Sequence, residues 1–168
     1  MNRLSLVLSI VLLGSGAAAA VIEQAKPAPT YETALLRSWQ NVHNKILTMA
    51  KDTQFPDDKL SWKPHPEARS VLEELRHVTI GLEMTTAEAK GEKFDFAARE
   101  KADATKPKTR ASVVAEMEAA IAASYPLVES KPRPQLLGWL EHQGEHYGKL
   151  VTAYRANGIV PPISRPKT

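Results

Sequence analysis

Residues 135–157 read QLLGWLEHQGEHYGKLVTAYRAN, and Gly158 and Pro161-Pro162 follow. Leu136, Trp139, Leu140, Tyr147, Leu150, Val151 and Tyr154 form a one-sided apolar arc, the pattern of an amphipathic α-helix. Asn157-Gly158 and the two prolines are a stop signal, because glycine accepts the left-handed turn that ends a helix and proline cannot continue one. The spacing therefore predicts a helix over Gln135–Asn157. With 3.6 residues per turn, His142 and His146 fall at the edge of the apolar arc beside Trp139, while Glu141, Glu145 and Lys149 point further round to water.

An apolar arc needs partners, and three stretches upstream supply them. Pro132 and Pro134 set off a helix of about Thr109 to Leu127, with Val113, Met117, Ala120, Ile121 and Ser124 on one face. Before it, Ser70 with Glu73 makes a capping box that starts a helix running to about Lys90. Its main stripe is Val71, Leu75, Val78 and Leu82, with Ile80 and Met84 on another side. The earliest helix, Tyr31 to Asp52, follows an N-cap at Thr30 and carries Leu35, Trp39, Val42, Ile46 and Met49. Phe55 to Arg69 contains Pro56, Pro64 and Pro66 and reads as a surface connection pinned by Trp62. Residues 91–109 are charged and include Gly91, Phe94, Phe96 and Pro107; they read as a crossover connection with two aromatic anchors and no regular element. No alternating strand pattern and no internal repeat competes. Four amphipathic helices bury their stripes only against one another, so the expected fold is an all-α four-helix bundle with ligand sites between facing helices.

The first twenty residues carry Arg3, an apolar run from Leu4 to Leu13 and a small-residue stretch from Gly14 that offers Ala18 and Ala20 for cleavage. That is the pattern of a secretory signal peptide, and the run is shorter than the roughly 20 residues that span a bilayer. Residues 21–168 are then expected to be one mature domain, periplasmic or secreted, with no membrane attachment once the signal is removed. The chain has no cysteine, which excludes disulfides, a thiol nucleophile and thiolate ligands. Its 22 basic and 19 acidic residues are interspersed, giving a net charge of only +3, so no nucleic-acid footprint is expected.

The chemistry rests on histidine. His142 and His146, four apart on a helix, stand about 5–6 Å apart at Cβ and can reach one metal ion together. A third ligand has to come from another helix, and His77 is the candidate because Ile80 and Met84 make its face partly apolar. Glu73, one turn earlier, is expected to accept from His77 or to act as a fourth ligand. His43, beside the first stripe, and His65, between prolines, are expected to be structural.

Leu137 to Arg165, LGWLEHQGEHYGKLVTAYRANGIVPPISR, resembles the last helix and tail of the DinB/YfiT-like proteins, with their His-x-x-x-His pair and a tail of the form NGIVPP-x-SR. Leu60 to Val78, with a tryptophan, two prolines, Arg69-Ser70 and then Glu74-Leu75-x-His77-Val78, is similar to the start of that family's second helix, where a lone histidine is the first ligand. The resemblance implies the DinB-like bundle, often a homodimer, with zinc, nickel or a similar divalent ion on His77, His142 and His146. Three histidines suit zinc, nickel, copper and iron alike. The expected function is an exported metal-dependent hydrolase or transferase acting on an unknown small-molecule substrate, with Glu73 favoured over Glu145 as general base. The alternative is a non-catalytic helical binding module with a structural metal or none.

Overall fold

The computed structural model describes residues 28–107 and 109–166, so the expected signal peptide lies outside the described residues. The fold is all-helical. Its long helices are α1 (Tyr31–Lys51), α2 (Val71–Lys90), α4 (Arg110–Ser130) and α5 (Gln135–Ala156), with a short α3 (Phe96–Asp103) between α2 and α4. No strand occurs among the described residues.

The helix ends follow local chemistry. The Thr30 hydroxyl caps α1 by accepting from the Thr33 amide at 3.3 Å. At α2, Ser70 Oγ accepts from the Glu73 amide at 3.2 Å and the Glu73 carboxylate accepts from the Ser70 amide at 2.7 Å. This reciprocal pair satisfies two of the amides a helix start leaves free. Gly91, at φ 79°, ends α2 in the left-handed region where a Cβ is penalised.

Leu35, Trp39, Ile46 and Met49 of α1, Leu75, Val78 and Leu82 of α2, Val113, Met117 and Ile121 of α4, and Leu150 and Tyr154 of α5 are buried together as one core. The α2 helix packs chiefly on α4, and α1 lies against both α4 and α5. By length and composition α4 would pass for a membrane span, yet Val113, Met117, Ala120, Ile121 and Val128 belong to this core. Two buried bonds lock the helices: Trp39 Nε1 donates to Ser124 Oγ at 3.0 Å, and the Tyr154 hydroxyl donates to Met49 O at 2.9 Å. Lys45 lies over the Tyr147 ring at 5.5 Å, so α1 and α5 run side by side in the same direction.

Arginines close the ends of the bundle. Arg110 donates to the carbonyls of Ala50 and Phe55, at 2.8 and 2.5 Å, where α1 leaves its last acceptors open. Arg165 in the tail grips both carboxylate oxygens of Asp52, at 2.9 and 2.5 Å, and also donates to Val160 O. The proline-bearing loop is tied down by Val71 N donating to Trp62 O at 3.2 Å and Leu72 N donating to Leu60 O at 3.0 Å.

The structure corrects the expectation that residues 91–109 hold no regular element. Asp95 caps α3 through the Ala98 amide at 2.9 Å, and charge holds the helix down where apolar burial does not. Arg99 donates to both oxygens of Glu83, at 2.7 and 2.9 Å, and to Asp103 and Glu116 at 3.3 Å. Arg76, buried on α2, donates to Asp103 at 2.6 Å, to Ser112 Oγ at 2.9 Å and to Pro107 O. Only Asp103 of α3 is buried, so there was no apolar stripe in the sequence to betray the helix.

Candidate metal centre

The imidazoles of His77 on α2 and of His142 and His146 on α5 converge. One nitrogen from each lies within 4.8 Å of the others, and His142 Nε2 and His146 Nε2 are 2.9 Å apart. Ring centroids are 4.4 Å apart for His142 and His146, 4.8 Å for His77 and His146, and 6.2 Å for His77 and His142. His146 is buried, whereas the His142 side chain is 42% exposed, so the cluster spans from the interior to an accessible edge.

Each imidazole has a carboxylate at Nδ1. His146 Nδ1 is 2.6 Å from Glu74 Oε1, His77 Nδ1 is 3.4 Å from Glu100 Oε1, and His142 Nδ1 is 3.6 Å from Glu145 Oε2. The Glu74 contact is a short charge-assisted hydrogen bond that fixes the proton on Nδ1 and leaves the Nε2 lone pair directed at its neighbours. At His142 the carboxylate is too distant to hold a proton on Nδ1, so across the 2.9 Å between the two Nε2 atoms either His142 donates to the His146 lone pair or both lone pairs face a shared cation. This donor set fits a divalent ion. Neutral imidazoles at about 2.0–2.1 Å from a tetrahedral zinc sit about 3.3 Å from each other, within the spread seen here.

The surrounding charges act on the cluster. Burial, followed by the positive field of Arg69, holds the His77 imidazole below its ordinary pKa. Burial alone would raise the Glu74 carboxyl, but the bond from His146 and the charges of Lys149 and Arg69 outweigh it and lower its pKa. The Phe96 ring meets His77 edge-on at 5.4 Å and Trp139 meets His142 at 5.8 Å, so aromatic edges pack two of the rings.

The structure thus brings together all three histidines expected from the sequence. Glu73 does not join them: its carboxylate sits in the α2 cap and 3.0 Å from Lys63. The neighbouring Glu74 takes the partner role, toward His146. Its signal was present, since Glu74 lies three residues after Val71 and four before Val78, inside the apolar stripe. Glu100 could not be found from the sequence because it stands on α3. His43 is fully buried, its Nδ1 2.8 Å from Trp39 O, and His65 is exposed; neither belongs to the cluster.

A family model described as the DinB superfamily matches residues 34–152. The chain belongs to the DinB superfamily. No curated protein and no solved structure matches the chain. In this DinB-superfamily chain the matched span contains all three clustered histidines and both of the buried carboxylates, Glu74 and Asp103.

Proposed function

We propose that this protein holds one divalent metal ion on His77, His142 and His146 and uses it in a hydrolytic or group-transfer reaction on a small molecule. The observation that carries the reading is the convergence of three imidazole nitrogens within 4.8 Å, with Glu74 holding His146 by the nitrogen turned away from His142. When bound, the ion would supply Lewis acidity. Glu74 orients His146 and balances the positive charge of the site. His142, on the accessible edge, leaves a side from which a substrate can approach. The cluster comprises three ligand residues among the described ones, which favours an open coordination position over a closed structural site. The N-terminal leader pattern supports export to a periplasm or beyond, so the ion would be acquired from that compartment.

Elemental analysis of the untagged mature protein, beside a triple alanine variant at the three histidines, tests the reading. About one ion per chain in the parent and none in the variant is expected. Equal metal content in both, or none in the parent after reconstitution, refutes it. An ion that is present but inert toward ester, amide and phosphate substrates would favour the non-catalytic binding module.

A further inference from the structure

We propose that a second pocket, which shares Glu74 with the histidine cluster, binds a small organic anion with an apolar body, of the aryl carboxylate class. The pocket lies between the proline-bearing loop and α5 and has a volume of about 810 Å³. That is within the range of roughly 300–1,000 Å³ typical of small-molecule sites. None of the three histidines lines it, so it is a site separate from the metal centre.

Its chemistry is asymmetric. Trp62, Val71 and Leu150 supply an apolar wall, and Arg69 and Lys149 stand on the rim. Both cations are weakly engaged: Arg69 lies 3.8 Å from Glu100, Lys149 lies 3.7 Å from Glu74, and neither donates a side-chain hydrogen bond among the described residues. Two acidic groups share the lining: Glu74, whose carboxylate accepts from His146 at 2.6 Å and offsets part of the positive charge, and Glu67, which turns outward toward His65 with 91% of its side chain exposed. A ligand entering here therefore meets apolar surface in the body of the pocket and two available cations at its mouth, which complements an amphipathic anion.

Gly148 gives the site a handle. It lines the pocket on α5, and a Cβ placed on it meets nothing within 4 Å, so the missing side chain leaves open space there. A leucine at this position would occupy the pocket, and replacing a helix-interior glycine with a better helix former does not threaten the fold.

The test is calorimetric titration of the full mature chain with 2-naphthoate, and with neutral 2-naphthamide as the uncharged counterpart, with and without a chelator. Saturable one-to-one binding of naphthoate, about tenfold tighter than naphthamide, is expected. Gly148→Leu is expected to weaken both by about tenfold or more with its melting temperature kept or raised. Arg69→Gln combined with Lys149→Gln is expected to erase the preference for naphthoate and leave naphthamide unchanged. Equal binding of the two probes, unchanged affinity in Gly148→Leu, or no naphthoate binding at millimolar concentration overturns the proposal. Loss of naphthoate binding on chelation also overturns it, by assigning the probe to the metal centre, whereas chelator-independent binding holds even if no ion occupies the histidines.

Discussion

Acid should destabilise this protein through His43, a histidine outside the cluster of three. Its ring is completely buried against Trp39 at 4.7 Å, Nδ1–H donates to the Trp39 carbonyl at 2.8 Å, and Nε2 has no partner. Burial opposes protonation more than the carbonyl favours it and lowers the pKa from 6.5 to about 4. The unfolded chain accepts a proton on this residue near pH 6.5, while the folded chain refuses it until about pH 4. Stability is therefore complete above pH 6.5 and falls as the pH drops through that interval. At 1.36 kcal/mol per unit the loss amounts to about 3 kcal/mol, a large share of the 5–15 kcal/mol typical of a domain. Urea unfolding at pH 7, 6, 5 and 4 in the presence of a chelator measures it. The control is His43→Leu, which roughly keeps the volume, removes the buried ring and its unpartnered nitrogen, and leaves every other ionisable group the same in both proteins. The parent should lose about 3 kcal/mol more than the variant between pH 7 and 4. Parallel pH profiles would mean that the buried ring is protonated in the fold and that the reasoning from burial is wrong.

Glu74→Gln keeps the shape of the partner of His146 and removes its charge; metal affinity measured by chelator competition should fall about 10–100-fold. Arg165→Ala breaks the two-pronged grip on Asp52, whose carboxyl pKa is held down, against burial, chiefly by the Arg165 bond. A cost of about 2 kcal/mol in urea unfolding is expected, and a loss under a few tenths would show that the tail contributes nothing. Arg99→Ala removes the contacts to Glu83, Asp103 and Glu116, so amide exchange should rise across 96–103 while α2 and α4 stay protected. Stripping the ion with a chelator should lower the melting temperature of the parent and leave that of the triple histidine variant unchanged.

The four long helices were legible because each announces itself twice, by an apolar stripe and by an end signal: Thr30, Ser70 with Glu73, the proline pair before Gln135, and Asn157-Gly158. The observed ends differ by only a residue or a few, as at α4, which runs on to Ser130 past Pro126. The α3 helix was illegible because its stability comes from Arg76, Arg99 and Glu83, whose pairing is set by tertiary structure. The histidine triad could be read because two of the histidines share one face of α5 and the third lies on α2. Glu74 is masked in the sequence by Glu73, whose capping-box position draws the eye, while the role of Glu74 depends on a residue 72 positions away. Gln143 was likewise unread: it sits inside the α5 arc and is buried, with its side-chain oxygen unpartnered.

The contact between Glu74 and His146 joins residues 72 apart in the chain. Closing a loop of that length carries an entropic cost that neighbouring turns avoid, so the histidines should meet after the local helical structure has formed. The expectation is that the cluster closes after the folding transition state. An ion held there should consequently shift the unfolding arm of a chevron plot to lower rates without changing its slope and leave the refolding arm where it was, prolonging the lifetime of the folded chain without helping it to form.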